Sequence, residues 1–352
     1  MSMSAYNAYD MGMPTMEDVA ELSGLSRVTV SKVLNGHAVR AKTRLKVLEA
    51  CEKLNFVPNR HAATLARGGS RLMGLVVTSI TDPFYSKIIE TAERAATTLG
   101  FDLAYRCSYS DAAQEREVVD GFLGLKAVSL IVSPVPSDEN ARFWRQLSRQ
   151  LPVVFIDHAT LPSCHLIATD HYAGGCLVTE HLLGQRSRVA YLGSTEPLTN
   201  SAIAARLQGY LDTLGKARKK PLVLPLSANN EHGDTEEFGY ACIDEYLSAN
   251  PDQERSFDAL ACATDAIALG AMNALTKHGL RPGKDVLVAG HDDLSFSSFL
   301  TPPLTSVRQP RNVIGETAVQ TAVDLVTKAR PRRGRIVVEL RPELVVRAST
   351  HG

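Results

Sequence analysis

From Leu72 onward the chain alternates short, continuously apolar runs with longer stretches of helical periodicity, and it does so twice in succession. LMGLVVT, FDLAYRC, AVSLIVS and PVVFID come first, with helical patterns between them near 84–99, 112–125 and 140–149. VAYLGS, PLVLPL, DALACAT and DVLVAG follow, with helical patterns near 172–183, 202–214, 236–249 and 266–278. Apolar runs of this length, bounded by turn residues, read as strands buried on both faces, and strand–helix alternation builds a parallel sheet. Two such series predict an α/β architecture of two doubly wound parallel sheets, completed by a helix near 312–327 and a strand over 335–346. Ligands of such sheets bind at the carboxyl ends of the strands, so two facing sheets create a cleft.

Residues 14–70 have a different texture. TMEDVAELSGLSRVTVSKVLNG, from Thr15 to Gly36, reads as two short helices joined across Gly24-Leu25-Ser26. Val19, Ala20 and Leu22 form one apolar stripe, and Val28, Val30, Val33 and Leu34 begin another. Thr15 with Asp18 makes a capping box, and Ser26 suits the N-cap of the second helix. Arg27, Thr29, Ser31 and Lys32 crowd the start of that helix, where a recognition helix reaches base edges and phosphates. A third helix over 42–54 carries Leu45, Leu48 and Cys51 at helical spacing, which predicts that it closes a small core. The following RHAATLARGG is too short and alanine-rich to hold a helix alone, so it is expected to order only when packed. Residues 1–13 are expected to form a disordered tail.

TMEDVAELSGLSRVTVSKVLNG, AKTRLKVLEACEKLNFVPNRHAATLARG and the GLVV that follows resemble the LacI/GalR family of bacterial transcription regulators, and the resemblance runs from Thr15 to Ser349. It implies a helix-turn-helix DNA-binding domain over 14–58, a hinge helix and linker over 59–70, and two periplasmic-binding-protein-like subdomains. These are 71–168 with 310–332 (N-terminal) and 169–309 with 333–349 (C-terminal). It also implies DNA contacts by Thr15, Ser26, Arg27, Val28, Thr29, Ser31, Lys32, Asn35, Asn59, Ala62 and Leu65. In that family the paired hinge helices insert a leucine between base steps, and Leu65 is the matching residue. Ala63 stands where the family often has arginine. Val28 has no hydrogen-bonding group; it meets a thymine methyl or excludes one.

The cleft candidates follow from strand ends: Asp82 and Phe84, Asp157, Arg206, Thr264 with Asp265, and Asp292. Asp82 equally suits a turn or N-cap, and Asp265 suits the cap of the helix it begins. The resemblance implies effector contacts by residues matching Asp157, Arg206 and Asp292, with lesser ones matching Asp82, Asn200, Thr264 and Gln309. His158, His171 and His291 depart from the family, which commonly has Arg, Asn and Tyr there; either they are structural or they reshape the pocket. LGSTEPLTNSAIAARLQGY and SANNEHGDTEEFGYACIDEYLSANP look like fructose repressor-activators that sense phosphorylated sugar, which places a sugar phosphate or sugar acid ahead of a neutral sugar.

Charge and composition fit this reading. The chain is neutral overall, but residues 14–70 hold nine Lys/Arg against five Asp/Glu, and 27–46 hold six basic residues and no acid. No apolar run long enough to span a bilayer occurs, and the N-terminus has no secretory pattern, so a cytoplasmic location is expected. Six cysteines without metal-ligand spacing read as buried thiols. No phosphate loop or nucleophile elbow is present, and His291-Asp292-Asp293 lie too close in sequence to converge as ligands. The expectation is a non-enzymatic, homodimeric repressor of a carbohydrate operon, without cofactor, metal or membrane, binding an inverted-repeat operator under control of a sugar, sugar phosphate or sugar acid. A sugar-binding protein without a regulatory role is the alternative.

Overall fold

The computed structural model describes residues 14–57, 69–135, 137–159, 163–186, 188–194, 201–224, 235–249, 256–327 and 334–351. The expected tail, the hinge contacts Asn59, Ala62 and Leu65, and Asn200 lie outside the described residues. The chain divides into two compact units, Met1–Arg71 and Leu72–Gly352.

The first unit contains α1 (Met16–Ser23), α2 (Arg27–Leu34) and α3 (Ala41–Leu54). Thr15 Oγ1 accepts the Asp18 N–H at 3.3 Å while the Asp18 carboxylate accepts the Thr15 N–H at 2.7 Å, which fixes the start of α1. Gly24 ends it at φ 65°, a left-handed conformation that a side chain would strain. Ser26 Oγ accepts the Thr29 N–H at 3.2 Å and starts α2. Val19, Val30, Val33, Val47 and Ala50 form the core. The expected inward faces are corrected here: Leu22, Leu45 and Leu48 are 49%, 59% and 51% exposed. The inward stripe of α3 is Val47, Ala50, Cys51 and Leu54, which fits the i, i+3, i+4, i+7 pattern that the leucines do not complete.

In the second unit, β1 (Leu72–Val77), β2 (Asp102–Cys107), β3 (Ser129–Val132), β4 (Val153–Ile156), β5 (His165–Thr169) and β11 (Val337–Leu340) form one sheet, ordered β11-β5-β4-β3-β1-β2 and parallel throughout. Helices α4 (Pro83–Thr98), α5 (Ala112–Gly124), α6 (Asp138–Leu147) and α11 (Arg311–Thr327) cover it. The second sheet contains β6 (Val189–Leu192), β7 (Leu222–Val223), β8 (Ala259–Cys262), β9 (Leu287–Asp292), β10 (Thr305–Arg308) and β12 (Glu343–Val345), ordered β12-β10-β9-β8-β6-β7. Its pairs are parallel except β10 with β12. Helices α7 (His171–Leu183), α8 (Ser201–Lys216), α9 (Glu236–Ala249) and α10 (Asp265–Lys277) pack on it around a continuous core.

Two strands, HLIAT and TSVR, were not anticipated, and the single strand expected over 335–346 is two. Val337–Leu340 pairs with β5, so this part of 333–349 belongs to the first sheet rather than the C-terminal subdomain. The break falls at Arg341-Pro342, where proline has no N–H to continue a ladder. The chain thus passes between the sheets after β5, after β10 and after β11. Of the six cysteines, Cys164, Cys242 and Cys262 are buried, whereas Cys51, Cys107 and Cys176 are half-buried rather than fully enclosed.

Candidate functional site

The outer face of α2 presents Arg27, Val28 and Lys32, all exposed, with Val28 at 65%. Arg27 Nε pairs with Glu17 at 2.8 Å, an exposed contact that a phosphate or base edge readily replaces. Thr29 and Ser26 share a hydroxyl–hydroxyl bond of 2.9 Å, and Asn35 Nδ2 donates to Ser31 Oγ at 3.0 Å, which orients those groups. Thr15 and Ser26 stand at helix N-termini, where unsatisfied backbone N–H groups favour anions.

The second candidate lies at the carboxyl ends of the strands, where Asp157, His158, His171, Arg206, His291, Asp292 and Gln309 are each at least nine-tenths buried. Asp157 follows β4 at φ 66° and Asp292 ends β9 at φ 112°, conformations uncommon for a residue with a side chain and concentrated at functional sites. His171, at the start of α7, reaches Asp157 with Nε2, at 3.0 Å from the carbonyl oxygen and 3.1 Å from Oδ1. Its Nδ1 faces Arg206 Nη2 at 3.3 Å. Arginine only donates, so Nδ1 holds the lone pair and Nε2–H donates to Asp157. Arg206 also donates to Ala263 O at 2.7 Å and to Asp292 Oδ1 at 3.4 Å. Asp292 Oδ1 further accepts Gln309 Nε2 at 2.6 Å and His291 Nδ1 at 3.2 Å. A chain of polar contacts therefore joins Asp157 of the first sheet to Asp292 of the second.

The charges respond to this arrangement. Burial opposes ionisation of Asp157, but hydrogen bonds from His158 and His171 prevail and hold its carboxyl well below the usual range. Asp292 is likewise penalised by burial, yet Arg206 and then His291 keep it low. Burial, reinforced by the Arg206 charge, depresses His291 to about 3, so it is neutral and its Nε2 is an acceptor. Among the described residues, Arg206 Nε, His291 Nε2 and Gln309 Oε1 find no hydrogen-bond partner. Arg206 and His291 line a small void of about 10 Å³, the size of one water molecule.

The remaining expected residues have other local roles as well. Asp82 caps α4 by accepting the Phe84 N–H at 2.8 Å; it is half-buried, and burial pushes its carboxyl up to about 6, with Asp292 and Asp157 adding to the rise. Phe84 packs edge-on against Tyr85 in the core. The cap of α10 is Thr264, which accepts the Ile267 N–H at 3.2 Å, not Asp265. Asp265 is fully buried and accepts the Leu294 N–H and the Ser297 and Ser306 hydroxyls, bracing the loop after β9. Burial and then the Asp292 charge push it up to about 7.

Two groups had no sequence signal. Arg311 donates to Pro83 O at 3.3 Å and to Asp293 O at 2.9 Å, strapping one subdomain to the other. Glu115, wholly buried, accepts Asn140 Nδ2 at 2.6 Å, Trp144 Nε1 at 3.0 Å and the Val135 N–H at 2.6 Å, beside the Pro134 carbonyl that accepts His158 Nε2 at 2.8 Å. Among the described residues, no group of three or more His, Cys, Asp or Glu is arranged to hold a metal ion.

Residues 15–59 match the bacterial regulatory proteins of the lacI family, and 179–350 match the periplasmic binding protein-like domain. The chain is similar to the HTH-type transcriptional regulator GalR of Escherichia coli (strain K12), 31% identical over 89% of each chain. It is also similar to the ribose operon repressor of the same strain, 29% identical over 96% of this chain and 100% of that one. Its fold matches that of the lac repressor dimer bound to operator and the anti-inducer ONPF with a TM-score of 0.83 and 30% identity, covering 96% and 99% of the two chains. From these likenesses, and from a helix-turn-helix followed by two sheets with a polar cleft, the chain belongs to the lacI family of bacterial regulatory proteins.

Proposed function

We propose that this regulator is a repressor of a carbohydrate operon that binds an inverted-repeat operator as a homodimer and responds to a small hydroxylated effector in the cleft. The observation that carries the reading is the exposed face of α2, which pairs the cations Arg27 and Lys32 with the bare methyls of Val28 at the N-terminal turns of a recognition helix. Arg27, Val28 and Lys32 read bases; Thr29, Ser31, Asn35, Thr15 and Ser26 contact the backbone; Asn59, Ala62 and Leu65 serve the hinge. Asp157, Arg206 and Asp292 hold the effector, with Asp82, Phe84, Asn200, Thr264 and Gln309 around them.

A ligand that prefers one arrangement of the subdomains shifts operator affinity through their relative angle, with a coupling of about 1–3 kcal/mol. The protein works in the cytoplasm and turns over no substrate. Among the described residues no helix is long and apolar enough to cross a membrane. Selection of bound sequences from random duplex DNA tests the reading: a pseudo-palindrome is expected, and recovery of no consensus with or without a sugar panel rejects it.

A further inference from the structure

We propose that Glu115 is a positioning residue of the effector site: through the Pro134–Val135 peptide it fixes the His158 ring, and through that ring the Asp157 carboxylate. The inference rests on the reading of Asp157 as an effector contact.

Asp157 stands in a conformation that its surroundings must hold. Its φ is 66°, and the His158 N–H donates back to Ile156 O at 2.7 Å, which closes a three-residue turn around it. Two imidazoles brace this turn. His171 reaches it from α7, and His158 Nδ1 lies 3.2 Å from Asp157 Oδ2. The other ring nitrogen of His158 is 2.8 Å from Pro134 O. A carbonyl oxygen only accepts, so Nε2–H donates to it, and the direction of that carbonyl sets where the ring can lie.

Pro134 O and the Val135 N–H are the two ends of one peptide group. Its N–H donates to Glu115 Oε2 at 2.6 Å. Glu115 is held in turn from α6, where Asn140 Nδ2 and Trp144 Nε1 donate to Oε1 at 2.6 and 3.0 Å. Glu115, Asn140 and Trp144 are all fully buried. The peptide is planar, so the carboxylate that fixes its N–H also fixes its C=O. An ionised acceptor grips the N–H more strongly than a neutral one and polarises the carbonyl at the far end. Burial pushes the Glu115 carboxyl up to about 7, against the pull of its three donors and of His158, the titratable group that faces it. The grip on the peptide is therefore full above neutrality and weakens below it, as the carboxyl takes up a proton.

The test compares the full-length wild type with Glu115→Gln and Trp144→Phe. An amide offers one oxygen where the carboxylate offers two, so Glu115→Gln cannot answer all three donors. Trp144→Phe costs packing and one donor to Oε1 but leaves the bond to Val135. The first readout is the Nε2–H resonance of His158, followed by NMR without ligand. It should be present in the wild type at about pH 8, weaken towards about pH 6, be lost or displaced in Glu115→Gln and persist in Trp144→Phe. A wild-type signal constant with pH, an unmoved signal in Glu115→Gln, or an equal loss in Trp144→Phe overturns the proposal. The second readout is melting and operator affinity with glucose, ribose, gluconate and glucose 6-phosphate. Whichever of these binds the wild type should bind Glu115→Gln about two- to tenfold more weakly at about pH 8, the worth of one hydrogen bond. That gap should close towards about pH 6, where the wild type is itself protonated. Asp82, raised by burial to about 6, titrates in both proteins, so their comparison at each pH removes its contribution. A gap that does not change with pH means that Glu115 only supports the fold, and it overturns the proposal while leaving the effector reading intact. If none of the four binds the wild type, the effector reading fails and the proposal falls with it.

Discussion

Among the described residues Asp265 has three hydrogen-bond donors and no cation, and its burial makes it a measurable liability. Its carboxyl rises from an ordinary value of 3.8 to about 7 in the fold. Between these values the folded chain holds a proton that the unfolded chain has released, so stability is fully present at low pH and lost as pH rises through this window. The loss is at most about 1.4 kcal/mol per pH unit. In Asp265→Asn, the amide oxygen can accept from Leu294 N–H and Ser297 and its NH₂ can donate to Ser306, without the charge. Urea unfolding should therefore show the variant gaining on wild type between pH 4.5 and pH 7.5; a constant difference would mean Asp265 does not titrate there. At the DNA face the residue scale decides specificity: Val28→Gln should change the preferred base at one operator position by about 1–3 kcal/mol, read by repeating the sequence selection. Converging strand ends of an α/β sheet marked five regions of the sequence as cleft candidates, and it was the family resemblance that ranked Asp157, Arg206 and Asp292 above the others. Glu115 and Arg311 could not be singled out, because their partners lie far off in the chain and meet only once both sheets are assembled.

Helices α7 and α8, which carry His171 and Arg206, touch through glycine. A Cβ on Gly175 would collide with the Arg206 carbonyl oxygen, so the close approach needs a bare backbone. Gly175→Ala should push α8 away, destabilise the unit by roughly 1–3 kcal/mol and weaken the effector response more than the operator affinity. Thermal melting alongside operator binding with and without effector separates the two effects, and an unchanged effector response would show that the displacement does not reach the guanidinium. The helices were legible in the sequence because their apolar period and caps agree, as at Thr15 and Ser26. The strands at the crossings were not: HLIAT and TSVR are short and mix polar with apolar residues, and the pattern of 335–346 runs on through a break that only Pro342 marks. The face of α3 was misread because two exposed leucines outweigh, by hydrophobicity, the smaller Val47 and Ala50 that do the packing.

At the scale of the whole molecule, a net charge of zero conceals a division of labour. Residues 14–70 are net positive by four charges, nine basic less five acidic, and the remainder compensates. If DNA is held by the head, operator affinity must depend on counterions released from phosphates rather than on the total charge. About six to ten phosphate contacts would reduce affinity by roughly 10³–10⁵ between 50 and 200 mM salt, and Lys32→Ala should lower the log–log slope by about one if that lysine meets a phosphate. The cleft should behave in the opposite way. Its charges are buried and mutually paired, and an effector, if uncharged, releases no counterions, so its affinity over the same range should then stay flat. Titrating both ligands across one salt series on the same preparation therefore separates the two sites by their physics. A steep slope for the effector would mean that it enters as an ion, and a flat slope for the operator would mean that the positive face of the head is not where DNA is held.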